Sequence, residues 1–435
     1  MPTFVIFWHC IDNAMTRKYL FSRREMDGRE RGRGHMMTIS RRQLFRLSGA
    51  GAAASLCLPS IGAAESSSRS PSPNNLLHPV QALDTSGARA VAPFELDGKI
   101  YLAIPQLAQE IDGQRAHMNG GDCDVSLIVY RHQPGGFVEY QRLPVSGGED
   151  AEFFRIGNRA FLATASIRSG RGPYSFNVDS TIFEWRGGRF ERFQTIPTFA
   201  AKQWRHFKIG ERTFLALAQG ISLDNVTATN PSSSMIFEWD GSAFRHFQSI
   251  PSAWGYNWRH FSISGGHFLA YADHMLPSTI FRWTGAVFEP FQTLEGKGGR
   301  AFLFFEDESE AYLAFAKILG DTLVYRWNGT AFVEHQILSG PGGREFAHLE
   351  HKGERYVIQV NFITGTPASP NTALQSVIYR VEAGRLNTVG TFPTSGGTDA
   401  AVFSIANQSF VAIAESLTKD VRFRTPSRIY RFGSE

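Results

Sequence analysis

Short apolar runs alternate with turn-forming pairs along most of the chain, and the runs come in sets of four. One set reads Trp204 to Ile209, Arg212 to Ala218, Met235 to Trp239 and Phe244 to Ile250, each rich in aromatic and branched side chains. Asp240-Gly241 joins the third run to the fourth, with Gly187-Gly188, Thr284-Gly285 and Asn328-Gly329 in the equivalent places. A tight hairpin there needs positive φ, and glycine supplies it at little steric cost. Asp97-Gly98, Gly210, Gly265-Gly266 and Lys352-Gly353 serve the same purpose between the first and second runs. Four antiparallel strands per set, apolar on both faces, describe a propeller blade sandwiched between its neighbours.

The sets repeat at a fixed internal distance. The aromatic closing a third run and the aromatic opening the next second run stand 29 residues apart at Trp185 and Phe214, Trp239 and Phe268, Trp283 and Tyr312, and Trp327 and Tyr356. His132 with Phe161 and Val381 with Phe410 keep the same 29. From the opening aromatic to the next closing position the interval instead varies from 15 to 31 residues, so length variation falls in one connection per repeat. The second run appears at Tyr101, Phe161, Phe214, Phe268, Tyr312, Tyr356 and Phe410, which makes seven blades. The last copy stops at Phe432, after its third strand. The missing fourth strand is expected at the other end, because Gln81 lies 20 residues before Tyr101 as Gln194 lies 20 before Phe214. The expected fold is therefore an all-β, seven-bladed propeller of four-stranded antiparallel blades over 76–435, with the last blade closed by the N-terminal strand and no edge left open.

These runs carry a resemblance. Phe190, Phe193, Gln194, Ile196 and Thr198, then Trp204, Phe207 and Ile209, then Phe214-Leu215-Ala216 and Ala218, then Ser234, Ile236, Phe237 and Trp239 are similar to the epitempin repeat, also called EAR or EPTP. That repeat is known from the leucine-rich glioma-inactivated proteins and some cell-surface receptors. The resemblance implies a seven-bladed propeller that acts by binding partners outside the cell, in some members with an ion in the central channel. It speaks to the scaffold more than to the function.

The formal net charge of +4 belongs to the N-terminal region. Residues 1–64 hold ten of the 44 basic and four of the 40 acidic residues, which leaves 34 against 36 in the remainder and no basic cluster for nucleic acid. Arg41-Arg42 stands before an Ala/Gly/Leu stretch that ends in Gly62 and Ala64, so 36–64 resembles a bacterial twin-arginine export signal cut before Glu65. An N-terminal helix of the folded domain is the alternative. Residues 1–35 are expected to be surplus to the true start, and 65–75 to be a polar Ser/Pro linker. Cys123 alone remains after such processing, so no intramolecular disulfide is expected. No segment has the length and apolarity of a membrane span. The expected product is an exported monomer, periplasmic or extracellular.

Candidate chemistry lies on the face that carries the variable connections. The longest, from Ile104 to Ser126, holds Arg115, His117, Asp122 and Asp124, a polar set able to contact a protein or glycan. Four positions before the Phe of each first strand, facing the channel, stand Ala90, Asp150, Gln203, Asn257, Ala301, Glu345 and Asp399. Asp150, Asn257, Glu345 and Asp399 offer oxygens suited to calcium; a water-filled polar channel is the alternative. The family resemblance makes acidic residues at this place typical, with Ala90 and Ala301 departing from it. His206, His260 and His348 share another slot, and would serve a metal-dependent hydrolase or lyase at the channel mouth, or merely fill the aromatic space held by Phe153 and Phe304 elsewhere. Trp185, Trp239, Trp283 and Trp327 are expected in the core, while Trp204, Trp254, Tyr256 and Trp258 are candidates for ligand stacking. No nucleophile elbow, P-loop, dinucleotide fingerprint or HExxH is present, and no catalytic residue is singled out. A binding scaffold for a protein or glycan is the leading expectation.

Overall fold

The computed structural model describes residues 76–433 apart from 225 and 231, so the expected extension, export signal and linker lie outside the described residues. Within that range the apolar runs are strands and no helix occurs. The strands form seven four-stranded antiparallel sheets. Their first strands, nearest the axis, are Ala92–Leu96, Gly148–Ile156, Ala201–Ile209, Gly255–Ile263, Gly299–Asp307, Gly343–His351 and Gly397–Ile405. The seventh sheet takes its outer strand from the other end of the described chain. Leu77–Leu83 pairs antiparallel with Ser427–Phe432, matching Leu77 with Phe432 and Ala82 with Arg428. A small hairpin, Thr364–Thr366 with Ser369–Asn371, grows from the variable connection of blade six. Gly241, Gly285 and Gly329 sit at φ of 97°, 98° and 98° in the third-to-fourth turns, the conformation for which glycine was expected.

The core is a set of seven walls between blades. Phe154, Phe161, Ala163 and Ile182 of blade two pack on Trp204, Leu215, Leu217 and Phe237 of blade three, and each neighbouring pair repeats this arrangement. The second strand of each blade thus buries both faces, which is why those runs are apolar without strict alternation. The third-strand tryptophans belong to these walls, as the sequence suggested. Arg159 Cζ lies 5.4 Å from the Trp239 ring centroid, Arg212 Cζ 5.0 Å from that of Trp283, and both guanidiniums are held by the carboxylates of Glu184 and Glu238.

The Phe-Gln pair of the repeat has a specific structural job. In blade three Ile236 faces Gln248 while Phe237 faces His246, so Phe247 is the extra residue of a β-bulge. The bulge turns Gln248 onto the free edge of the next blade's outer strand. There its Nε2 donates to Phe288 O at 2.7 Å and its Oε1 accepts from Phe288 N at 2.9 Å. The carboxamide therefore imitates a peptide group and stitches one outer strand to the next. Gln81, Gln141, Gln194, Gln292 and Gln336 do the same to Phe137, Phe190, Phe244, Phe332 and Leu386. Gly390 holds the equivalent place in blade six, opposite Ile378.

Candidate functional site

A second bulge, at the inner end of six of the seven blades, builds the channel. In blade three Ala201 faces Gln219 and Gln203 faces Ala218, leaving Lys202 as the extra residue. Glu149, Tyr256, Arg300, Arg344 and Thr398 are the extra residues of the matching bulges in other blades. A regular strand sends successive side chains to opposite faces. The bulge breaks that rule, so in blades two, three, six and seven two consecutive residues line one cavity of about 250 Å³, joined by Tyr256 and Arg300 of blades four and five and by Arg89 and Ala90 of blade one. Gly299 and Gly343 precede two of these residues because the backbone of the preceding blade is close. A Cβ at Gly299 would lie 2.8 Å from Asp273 O, and one at Gly343 would lie 3.3 Å from Lys317 O and 2.5 Å from the side-chain oxygen of Thr322.

The inner tier is the ring of oxygen-bearing residues, and its oxygens lace blade to blade. Asp150 accepts from Trp204 N at 2.8 Å, Gln203 from Trp258 N at 2.8 Å, Asn257 from Phe302 N at 3.2 Å and Asp399 from Val91 N at 2.8 Å, in each case on the following blade. Where the preceding blade offers alanine, the acceptor comes from the same blade. Glu345 Oε1 takes Phe346 N at 3.1 Å past Ala301, and Asp150 takes Ala151 N past Ala90. Asp399 Oδ1 then takes Ala400 N at 2.8 Å, since Glu345 is engaged elsewhere. Every first-strand N–H of this tier thus has an acceptor, as buried amides require. Among the described residues no three His, Cys, Asp or Glu side chains are grouped as metal ligands. Burial, reinforced by Glu152, pushes Asp150 up to about 7. Burial raises Glu345 and, together with Glu345, raises Asp399 well above the carboxylate range. Below this tier Glu152 pairs with Arg205 at 3.2 Å, and Arg259 Nε donates to Phe302 O at 2.9 Å.

The outer tier, at the mouth on the variable-loop face, was not foreseen. It holds Arg89, Glu149, Lys202, Tyr256, Arg300, Arg344 and Thr398. Glu149 lies 3.0 Å from Arg89 Nη2 and 3.5 Å from Arg344 Nη2. Burial pushes its carboxyl up, but Arg89, Lys202 and Arg344 together outweigh burial and hold it below the usual range. Arg300 lies over the Tyr256 ring at 3.8 Å and donates from Nη1 to His274 Nδ1 at 2.9 Å. Burial, with help from Arg300, drives His274 down to about 3, so the imidazole stays neutral and accepts. Lys202 is 4% exposed, its Nζ makes no hydrogen bond, and burial lowers it to about 7. Apart from Tyr256, sequence reasoning missed this tier, because a bulge breaks the alternation by which the faces of a strand are read. A basic residue directly after Gly299 or Gly343, at the start of an otherwise apolar strand, is the signal that marks it.

The other candidate residues are separated by the fold. His206 lies flat on Phe154 of the preceding blade, with centroids 4.7 Å apart and planes at 8°, and His260 lies on Phe207 in the same way. Phe153 on Phe94 and Phe304 on Phe261 fill this slot in other blades, so His206 and His260 occupy the aromatic packing space. Burial lowers both to about 4, and burial lowers His348 as well. The stacking expectation needs correction at Trp204 and Trp258. Both are 0% exposed, inside the walls between blades, with Trp204 Nε1 donating to Thr164 O at 3.0 Å and Trp258 packed 4.1 Å from Tyr271. Trp254 is buried edge-on against His274, which leaves Tyr256 as the aromatic that reaches the channel.

The variable loops form a collar around the mouth. Leu107, Ala108, Cys123, Ile318, Phe362, Leu417 and Phe423 make an apolar cluster of their own from four different blades' connections. Arg168 ties blade two to the long loop by donating to Asn119 O at 2.8 Å and Gly120 O at 2.9 Å. Arg115, His117 and Asp124 are exposed on that loop, while Asp122 is half-buried and accepts from Asp124 N at 3.1 Å.

The EPTP domain matches four stretches of the chain, residues 136–186, 189–240, 243–284 and 287–328. Each match starts on the outer strand of one blade and ends on the third strand of the next, the offset that makes an N-terminal strand necessary to complete blade seven. Over residues 136–328 the chain is built of EPTP repeats. A human thrombospondin-type laminin G domain and EAR repeat-containing protein is 32% identical over 149 residues, which is 33% of this chain and 21% of that protein. Its mouse counterpart is 33% identical over the same length. Human leucine-rich repeat LGI family member 4 is 40% identical over 72 residues, covering 16% of this chain and 12% of its own length. The alignments thus span about a fifth or less of these relatives, and what they have in common with this EPTP propeller is the repeat.

Proposed function

We propose that this EPTP propeller is an exported binding scaffold that recognises a protein or glycan outside the cytoplasm through its variable-loop face. The observation that carries this reading is the collar. Connections of unequal length from several blades share one apolar cluster and present exposed polar tips, including Arg115, His117 and Asp124, above a rigid ring. Rigid support lowers the ordering cost of recognition, which is what a binding face needs. Export follows from the twin-arginine pattern at Arg41-Arg42. No helix of the described residues is long and apolar enough to cross a membrane.

The test is proximity cross-linking in cells that make the full chain. Two loop-face variants, one lacking 112–116 and one lacking 364–371, should keep the wild-type melting behaviour and lose the cross-linked partner. Glu211→Lys, in a tight turn on the opposite face, should retain it. Equal recovery from all three variants would remove the loop face from consideration.

A further inference from the structure

The mouth of the channel has the composition of a binding site for negative charge. Within the channel cavity of about 250 Å³, Arg89, Lys202, Arg300 and Arg344 stand at the mouth tier with Glu149 as that tier's single carboxylate, while Asp150, Glu152, Glu345 and Asp399, with Arg205 and Arg259, line the tiers below. That volume corresponds to roughly eight waters at ~30 Å³ each, or to one acidic sugar unit with a few waters. Three of the basic residues are buried, with relative exposures of 9% for Arg89, 4% for Lys202 and 7% for Arg300, and the Arg344 side chain is exposed by 11%. Lys202 Nζ, Arg89 Nε and Arg300 Nε make no hydrogen bond within the protein. A buried ammonium without an acceptor is costly, and an excess of positive charge at the mouth tier concentrates counter-ions there.

The basic groups are also oriented. His274 Nδ1 and Gly299 O, each 2.9 Å from Arg300 Nη1, hold that guanidinium over the Tyr256 ring. Arg344 lies 5.1 Å from the same ring, and Arg89 lies 5.2 Å from the ring of Phe362 in the collar. Arg guanidiniums with one face on an aromatic ring keep their N–H edges for an oxyanion. Nothing about the slot demands charge, because blade seven fills it with Thr398, whose hydroxyl donates to Ala88 O at 2.9 Å.

We propose that this mouth is a binding site for one oxyanion group, a carboxylate, sulfate or phosphate, held by Lys202, Arg89, Arg300 and Arg344 with Tyr256 as its aromatic floor. The group reaches the site either as a free small anion or as the acidic end of a larger glycan or peptide, and the same contacts serve both. The site stands apart from recognition by the loop tips, since Lys202, Tyr256, Arg300 and Arg344 belong to the bulges of the inner strands and Arg89 lies just before the first strand of blade one.

The test is titration calorimetry of the full-length protein with sodium sulfate, inorganic phosphate, galacturonate and a galacturonate oligomer, at ionic strength held constant with chloride. Saturable binding of one equivalent is expected, together with a rise in melting temperature that chloride does not produce. Lys202→Met should weaken binding by roughly tenfold or more, as loss of a charge-assisted contact does, while raising the melting temperature of the anion-free protein by removing an unpaired buried charge. Arg300→Gln should weaken binding as well, and covers the case in which Lys202→Met does not fold. Tighter binding of the oligomer than of the monomer would identify the end group of a larger ligand; equal binding would identify a free anion. Absence of saturable binding by wild type for every probe, or wild-type binding in both variants, would overturn the assignment.

Discussion

Replacing Gln248 with methionine isolates the stitch between outer strands. Methionine keeps the length and apolar stem of glutamine but can neither donate to Phe288 O nor accept strongly from Phe288 N, the partners now at 2.7 and 2.9 Å. Both backbone groups lose their partner at once. An unpaired buried polar group costs about 1 to 3 kcal/mol, and this interface is only partly buried, so the low end applies to each and the sum is about 2 kcal/mol. With an unfolding entropy of roughly 2.1 cal/mol/K per residue, that loss lowers the melting temperature of a propeller this size by roughly 2 to 3 °C. Gln248→Glu adds a test of direction. At pH 7 the carboxylate still accepts from Phe288 N but opposes Phe288 O. Once protonated, below a pKa of about 4.3, it can donate and accept as glutamine does. Melting followed by circular dichroism should therefore place Gln248→Glu progressively above Gln248→Met as pH falls from 7 to 4, and comparison at each pH cancels background acid sensitivity. A methionine variant that melts with wild type, or a glutamate variant that gains nothing on acidification, would refute the peptide-imitation account.

Other perturbations follow from the same geometry. His206 and His260 are held near 4 by burial against an unfolded value of about 6.5, so the unfolded state binds more protons between those limits and stability is lost as pH falls through them. His206→Phe with His260→Phe should then flatten the acid limb of the melting profile, and a steeper limb would contradict the packing role. Lys202, lowered to about 7 from about 10.4, should make wild type gain stability from pH 7 to 10 relative to Lys202→Met, measured as a shrinking difference in melting temperature. Asp150→Asn keeps one acceptor and should cost about 1 kcal/mol, whereas Asp150→Ala strands Trp204 N and Ala151 N and should cost about 2 to 4 kcal/mol. The same melts with and without calcium chelator should overlay, because the ring oxygens serve backbone amides; a chelator-induced fall would restore calcium to the channel. Removing residues 1–83 takes the outer strand from blade seven and should abolish the cooperative melt, seen as aggregation by size-exclusion chromatography.

The propeller was legible because its evidence is periodic. The 29-residue interval spans two tight turns, an outer strand, the short link to the next blade and that blade's first strand, none of which includes a variable loop, so Trp239 and Phe268 keep their spacing even as loops vary. Closure was legible for the same reason, since Gln81 repeats the place of Gln194 and makes the same stitch, to Phe137. The aromatic candidates went astray where a residue's place along the strand was known but its depth was not. Trp204 and Trp258 stand next to channel residues in sequence, yet their side chains enter the walls between blades.

The mouth tier was hidden by a finer effect. A bulge adds one residue without altering the repeat length that reveals the fold, and that residue escapes the alternation by which strand faces are read. Once the bulges are known, the composition of the tier becomes informative. Thr398 and Tyr256 show that a neutral side chain satisfies the slot, and blades three, five and six nevertheless place Lys202, Arg300 and Arg344 there, with Arg89 added by blade one. Within this tier, three buried cations and the half-buried Arg344 against one carboxylate weaken the folded ring rather than support it. Folding therefore does not account for them, whereas a negatively charged group lodged at the mouth does.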